Sequence, residues 1–123
     1  MSIPATLERL ITAWNAQDVE AIVATFAEDG AYHEPEGPER LGRSHVGHAA
    51  IRAILTHIFT TFPDGRLDPV GPLVVDGEHA YAEWDFAFTS ADGQRRVVRG
   101  VDLFTFESER IKHKNVFLKR YVR

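Results

Sequence analysis

The chain has 123 residues, of which 44% are hydrophobic and 26% charged, and its formal net charge is -4. That length suits one domain with a real core, the composition argues against disorder, and no basic face offers itself to nucleic acid. Cysteine is absent, which excludes disulfides, thiolate catalysis and Cys-bound zinc. No apolar run reaches membrane-spanning length and no charged-then-apolar leader opens the chain, so a cytoplasmic protein with no nucleic-acid or membrane partner is expected. Arg110, Lys112, Lys114, Lys119, Arg120 and Arg123 crowd the C-terminal segment, where they read as a solvated strand edge.

Pro4 suits the first turn of a helix. Leu7, Leu10, Ile11 and Trp14 then recur at helical spacing. Gln17-Asp18 interrupts the pattern, with Asp18 as an N-cap. Val19, Ile22, Val23 and Phe26 predict a second, shorter helix, stopped by Asp29-Gly30. A brief strand from Ala31 to Glu34 ends at Pro35. Pro35, Gly37, Pro38, Gly42 and Gly47 punctuate a loop over 35–47. A third helix runs from about Gly47 to Phe62, with Ile51, Ile54, Leu55, Ile58 and Phe62 along one side, until Pro63-Asp64-Gly65 ends it.

Everything beyond reads as strand. Arg66 to Val75 is weak, being broken by Pro69 and Pro72, whereas Glu78 to Ser90 is strong. A turn at Ala91-Asp92-Gly93-Gln94 leads into Arg95 to Glu107, and Ile111 to Tyr121 completes a meander. Helices first and strands later define an α+β class with an antiparallel sheet. No repeat, linker or low-complexity segment divides the chain, so a single domain over 1–123 is expected.

Alternate strand residues face opposite sides. The even positions after Glu78 are Ala80, Ala82, Trp84, Phe86 and Phe88, an apolar row that should meet the helices. The next strand's even row is Arg96, Val98, Gly100, Asp102, Phe104 and Phe106. Asp102 is thus a carboxylate inside an apolar row, and burial forces it to find partners or become neutral. An Asp satisfied by backbone or a neighbouring His and a functional acid fit that pattern equally well. Glu34 ends a short strand before a Pro-Gly loop, a typical perch for a catalytic group; a solvated acid beside Glu36 and Glu39 is the plainer reading. His45 and His48, with His33 nearby, are too weakly spaced to define a metal site. No phosphate loop is present, since the Gly-Lys-Ser/Thr ending is missing.

These residues carry a likeness. Asp18-Val19-Glu20-Ala21-Ile22-Val23, Phe26-Ala27-Glu28-Asp29 and Tyr32-His33-Glu34-Pro35-Glu36-Gly37 resemble the ketosteroid isomerase pattern. So do Gly47 with Ile51, and Val101-Asp102-Leu103-Phe104-Thr105-Phe106 followed by Arg110-Ile111. The chain is identified on these as a SnoaL-like, ketosteroid isomerase-like protein of the nuclear transport factor 2-like superfamily. The resemblance covers nearly the whole chain. It implies a curved antiparallel sheet wrapped around three N-terminal helices, a cone-shaped or cystatin-like roll. It also implies Glu34 as general base and Asp102 as the acid that hydrogen-bonds an enolate oxygen. A protonated Asp in an oxyanion hole is the known arrangement of ketosteroid isomerase itself, a relative and not this chain. The first-helix tyrosine of the isomerases falls near Leu10, or at Trp14 with a short gap, and neither is a phenol. Their supporting tyrosines fall near Phe26 and Leu55.

The expected pocket is lined by Ile54, Trp84, Phe86 and Phe104, joined by Tyr32. For the last strand the resemblance implies Lys114, Val116 and Leu118 on the pocket side, while alternation favours Ile111, His113, Asn115 and Phe117; that face stays open. The enzyme reading is proton transfer beside a carbonyl, by an isomerase, cyclase or hydratase, on a small apolar or polycyclic molecule, with no cofactor or metal. The alternative is a non-catalytic binding or dimerisation module of the same fold. Val97, Val101 and Leu103, with Tyr81 and Ala87, make the outer sheet face apolar, so a homodimer is expected there. Arg99 would pair across it with Glu83 or Asp85.

Overall fold

Proline at the helix start and a Ser2 side chain accepting from the Ala5 N–H open the first helix, α1, over Ile3–Asn15. This computed structural model describes residues 2–119, so Arg120 and Tyr121 of the expected last strand, and Arg123 of the basic C-terminal segment, lie outside the described residues. The remaining elements are α2 (Val19–Val23), β1 (Phe26–His33), β2 (Ser44–Val46), α3 (His48–Thr61), β3 (Arg66–Asp76), β4 (His79–Thr89), β5 (Arg95–Glu107) and β6 (Arg110–Lys119). One six-stranded sheet runs β2-β1-β6-β5-β4-β3. β3 to β6 form the antiparallel meander, whereas β1 enters beside β6 in parallel.

Two boundaries differ from those that residue spacing predicts. Phe26 belongs to β1, not to the second helix. Thr25 Oγ1 donates to the Ile22 carbonyl at 2.7 Å, a side-chain bond that competes with helix propagation. Phe26 then pairs with Ile111, fully buried. The loop over 35–47 also holds β2, which pairs Val46, His45 and Ser44 with Ala31, Tyr32 and His33. Three residues are too few to show a period.

The helices lie against one side of the curved sheet. Leu7, Leu10 and Trp14 of α1, Ile22 and Val23 of α2, and Ile51, Ile54 and Leu55 of α3 are buried with Phe26, Phe106 and Ile111. Two side-chain ties fix α1 to the sheet. Asn15 exchanges a pair of 2.8 Å hydrogen bonds with the Leu67 backbone, and Thr6 Oγ1 donates to the Glu109 carbonyl at 2.9 Å. Pro69 and Pro72 sit in β3, the edge strand, where a missing N–H costs no ladder bond.

Trp84 pairs with Gly100 and Ala82 with Asp102, so Trp84 and Asp102 share a face. The last strand changes parity. Between β5 and β6 the register shifts at Thr105/Phe106, where Phe106 opposes Ile111 but Thr105 opposes His113. Such a bulge moves every following residue to the other face. Ile111 is therefore buried on an odd number, Lys114 and Val116 on even ones. On the outer face Tyr81, Val97, Leu103 and Phe117 are 42–49% exposed. Arg99 is already paired with Asp85, its cross-strand neighbour, at 3.4 Å.

Candidate functional site

Between α1 and the inner sheet face lies a cavity of about 1770 Å³. It exceeds the roughly 300–1,000 Å³ usual for small-ligand sites because it widens to a rim of exposed residues such as Pro4, Glu8, Pro35, Pro72 and Arg96. Its buried wall is formed by Trp14, Tyr32, Trp84, Asp102, Phe104 and Lys114. Phe86, Val116 and Leu118 also line it, and Phe62 closes one side through edge contacts with Phe86 and Phe88. Ile54 is buried in the core and is not part of the lining. It sits on the inner side of α3, and helical spacing cannot tell a core position there from a cavity wall.

Glu34 and Asp102 line this one cavity. Glu34 stands just past the end of β1, half-buried, and accepts from His45 Nε2 at 2.8 Å. The 35–43 loop folds back over it: the Glu34 N–H donates to the Arg43 carbonyl at 2.8 Å. Gly42, at φ +80, lies so near that a Cβ there would meet the Glu34 carbonyl oxygen at 2.0 Å. Only glycine serves at that point.

Asp102 is buried in β5 and accepts from Lys114 Nζ of β6 at 3.2 Å. Both side chains are shut from solvent, at 6% and 4% exposure. Lys114 Nζ lies over the rings of Tyr32, at 4.5 Å, and Trp14, at 5.0 Å. Burial pushes the Asp102 carboxyl above its ordinary range, with Lys114 and the Trp84 indole pulling the other way. Burial pushes the Lys114 ammonium down, with Asp102 opposing. The Tyr32 phenol is pushed far up, first by burial, then by the charges of Asp102 and Glu34. One ring thus feels both carboxylates, and it stays a phenol. Trp14 Nε1 is a buried donor with no hydrogen-bond partner among the described residues.

The histidines do separate work. His48 Nε2 bonds the Phe26 carbonyl at 2.9 Å. His33 is buried between Ser44 Oγ, at 2.7 Å, and His113 Nδ1, at 3.0 Å. With His79, His113 and Asn115 it lines a second, outer pocket of about 500 Å³. Among the described residues no group of three or more His, Cys, Asp or Glu is placed to hold a metal ion, and no helix is long and apolar enough to cross a membrane.

Lys114 and His45 are the partners that residue patterns alone did not reveal. Their signal was positional: His45 pairs across from Tyr32 beside the motif acid, and Lys114 is a cation that the bulge in its strand turns inward.

A curved sheet wrapped around three helices is the ketosteroid isomerase-like fold. The chain belongs to the SnoaL-like domain family, whose model matches residues 7–114. Solved structures share the fold. TerC, crystallised with polyporic acid, is 21% identical, with a TM-score of 0.83 over 95% of this chain and 91% of that one. SalBIII, an epoxide hydrolase/cyclase-like enzyme in pyran ring formation in the polyether salinomycin, is 24% identical, with a TM-score of 0.80 over 95% and 90%. A protein of ketosteroid isomerase-like fold from Catenulispora acidiphila, solved with trimethylamine, is 16% identical, with a TM-score of 0.82 over 95% and 86%.

Proposed function

We propose that the chain is a cofactor-free acid–base catalyst that moves a proton beside a carbonyl of a small apolar or polycyclic molecule, as an isomerase, cyclase or hydratase. The observation that carries this is the lining of one cavity by both Glu34 and Asp102. Glu34, oriented by His45, is the base, and its half-open setting lets it reach a ligand from the rim side. The Asp102–Lys114 pair is the acid. An ion pair and its neutral tautomer hold the same protons, so either Nζ or the carboxyl can donate as charge grows on the carbonyl oxygen. Trp14, which a short gap would align with the isomerases' first-helix tyrosine, has an N–H without a partner among the described residues for the same oxygen. Tyr32, Trp84, Phe86, Phe104, Val116 and Leu118 hold the apolar body, and a cyclase-like enzyme of the same fold, SalBIII, acts in pyran ring formation.

The reading includes a cytoplasmic homodimer joined by the outer sheet face. Its test is exchange of the α-protons of 2-tetralone in deuterated water, followed by NMR. The chain should accelerate exchange, and Glu34→Gln should lose about 10²–10⁴-fold of the acceleration. Exchange no faster than buffer, or unchanged in both Glu34→Gln and Asp102→Asn, refutes it. In that event binding without catalysis remains, and quenching of Trp14 and Trp84 fluorescence would register it.

A further inference from the structure

We infer that Lys114 is an amine nucleophile that captures aldehydes and ketones in the cavity as a Schiff base. The inference rests on the carbonyl-ligand reading above and names a covalent step within it. Lys114 reaches the cavity wall from β6, shut from solvent, with the Asp102 carboxylate 3.2 Å from Nζ and the rings of Tyr32 and Trp14 beside it. A lysine in such a place serves as a point charge or as a nucleophile. Apolar surroundings penalise the charge-separated pair. Transfer of one proton from Nζ to Asp102 removes both charges and frees the nitrogen lone pair. That transfer is internal, so the supply of free amine does not depend on reaching the pH at which an exposed lysine titrates. Burial drives both groups in this direction.

The step balances without any redox partner. The nitrogen lone pair forms the C–N bond while the carbonyl oxygen takes a proton from the Asp102 carboxyl. The nitrogen returns a proton to Asp102. The carbinolamine oxygen takes that proton, leaves as water, and the nitrogen pair closes the C=N bond. Amine, carbonyl and the Asp102 carboxyl become a protonated imine, one water and the Asp102 carboxylate. The ligand class is therefore an apolar aldehyde or ketone whose body fits between Trp84, Phe104 and Val116.

Lys112, Lys114 and Lys119 are the only lysines of the chain, and the other two are built-in controls: Lys112 is ion-paired with Asp29 at the surface and Lys119 is exposed. An exposed lysine holds only about one free amine in a thousand near pH 7.4. The probe is 2-naphthaldehyde at pH 7.4 with sodium cyanoborohydride, the adduct located by peptide mass mapping and occupancy followed by Trp14 and Trp84 fluorescence. The expected result is reduction onto Lys114 at least about tenfold faster than onto Lys112 or Lys119, and its loss in Lys114→Arg, which keeps a cation beside Asp102. Mapping of the unmodified sequence decides the matter even if that variant fails to fold. Quenching without a Lys114 adduct, or equal labelling of all three lysines, overturns the inference and leaves the carbonyl-binding reading standing. Absence of both the quenching and the Lys114 adduct overturns the two together.

Discussion

Gly100 lies under the Trp84 ring: a Cβ added there would meet Trp84 Cη2 at 2.3 Å. Its φ is not left-handed, so the demand is for space alone. Gly100→Ala should push the indole off its strand partner and into the cavity. Overpacking of this kind costs about 1–3 kcal/mol. Thermal melting should show that loss together with weaker quenching by 2-naphthaldehyde. A melt within error of the parent would mean that the ring is not packed as described.

The Asp102–Lys114 pair should betray itself through asymmetry. Removing one partner of a buried pair leaves an uncompensated charge and costs about 3–5 kcal/mol, whereas an apolar replacement of both is often near neutral. Asp102→Leu and Lys114→Met should each destabilise strongly in urea, and the double variant should be more stable than either. Additive losses would contradict the pairing.

Acid should weaken the fold through His33. Burial, then His113, then His45 hold its imidazolium form below the ordinary histidine value of 6.5. A depressed folded-state pKa means that the unfolded chain takes up the proton first. The contribution is present above 6.5 and is lost as pH falls through the lower folded value. Urea midpoints should drop from about pH 7.5 toward about pH 5.5. His33→Gln, which can still bond Ser44, should flatten that slope; an equally steep slope in the variant would assign the effect elsewhere.

The outer face should associate. Tyr81, Val97, Leu103 and Phe117 are exposed apolar residues on one side of the sheet, the kind of patch that marks a contact surface. Light scattering at micromolar concentration should give the mass of a dimer, and Leu103→Arg the mass of a monomer. A monomer for the unaltered chain would refute the homodimer.

Much of this was legible because strands write their faces in alternate residues. Trp84, Phe86, Asp102 and Phe104 could be placed on one face from spacing alone, and the motif around Glu34-Pro35 located the first acid. The last strand was not legible in that way. Its bulge beside Phe106 switches parity, so Ile111 and Lys114 both point inward although no fixed period joins them. Ile54 illustrates the converse limit. A helix period shows which side is apolar, but core and cavity wall are both apolar. The hydrogen bonds from His45 to Glu34 and from Lys114 to Asp102 join residues on neighbouring strands, a relation that depends on strand order, and the parallel entry of β1 beside β6 has no local signature.

The proposed proton transfer requires one ligand held with its oxygen at the Asp102–Lys114 pair and its reacting carbon toward Glu34. Its most direct test is a crystal structure with 2-naphthol, whose phenol oxygen and planar ring mimic the enol of 2-tetralone. That oxygen is expected within about 3 Å of Lys114 Nζ or the Asp102 carboxyl, with the ring against Trp84 and Phe104 and the Glu34 carboxylate facing the carbon next to the oxygen-bearing one. A naphthol bound elsewhere, or seated in the cavity with its oxygen toward the rim and away from Asp102 and Lys114, would contradict it.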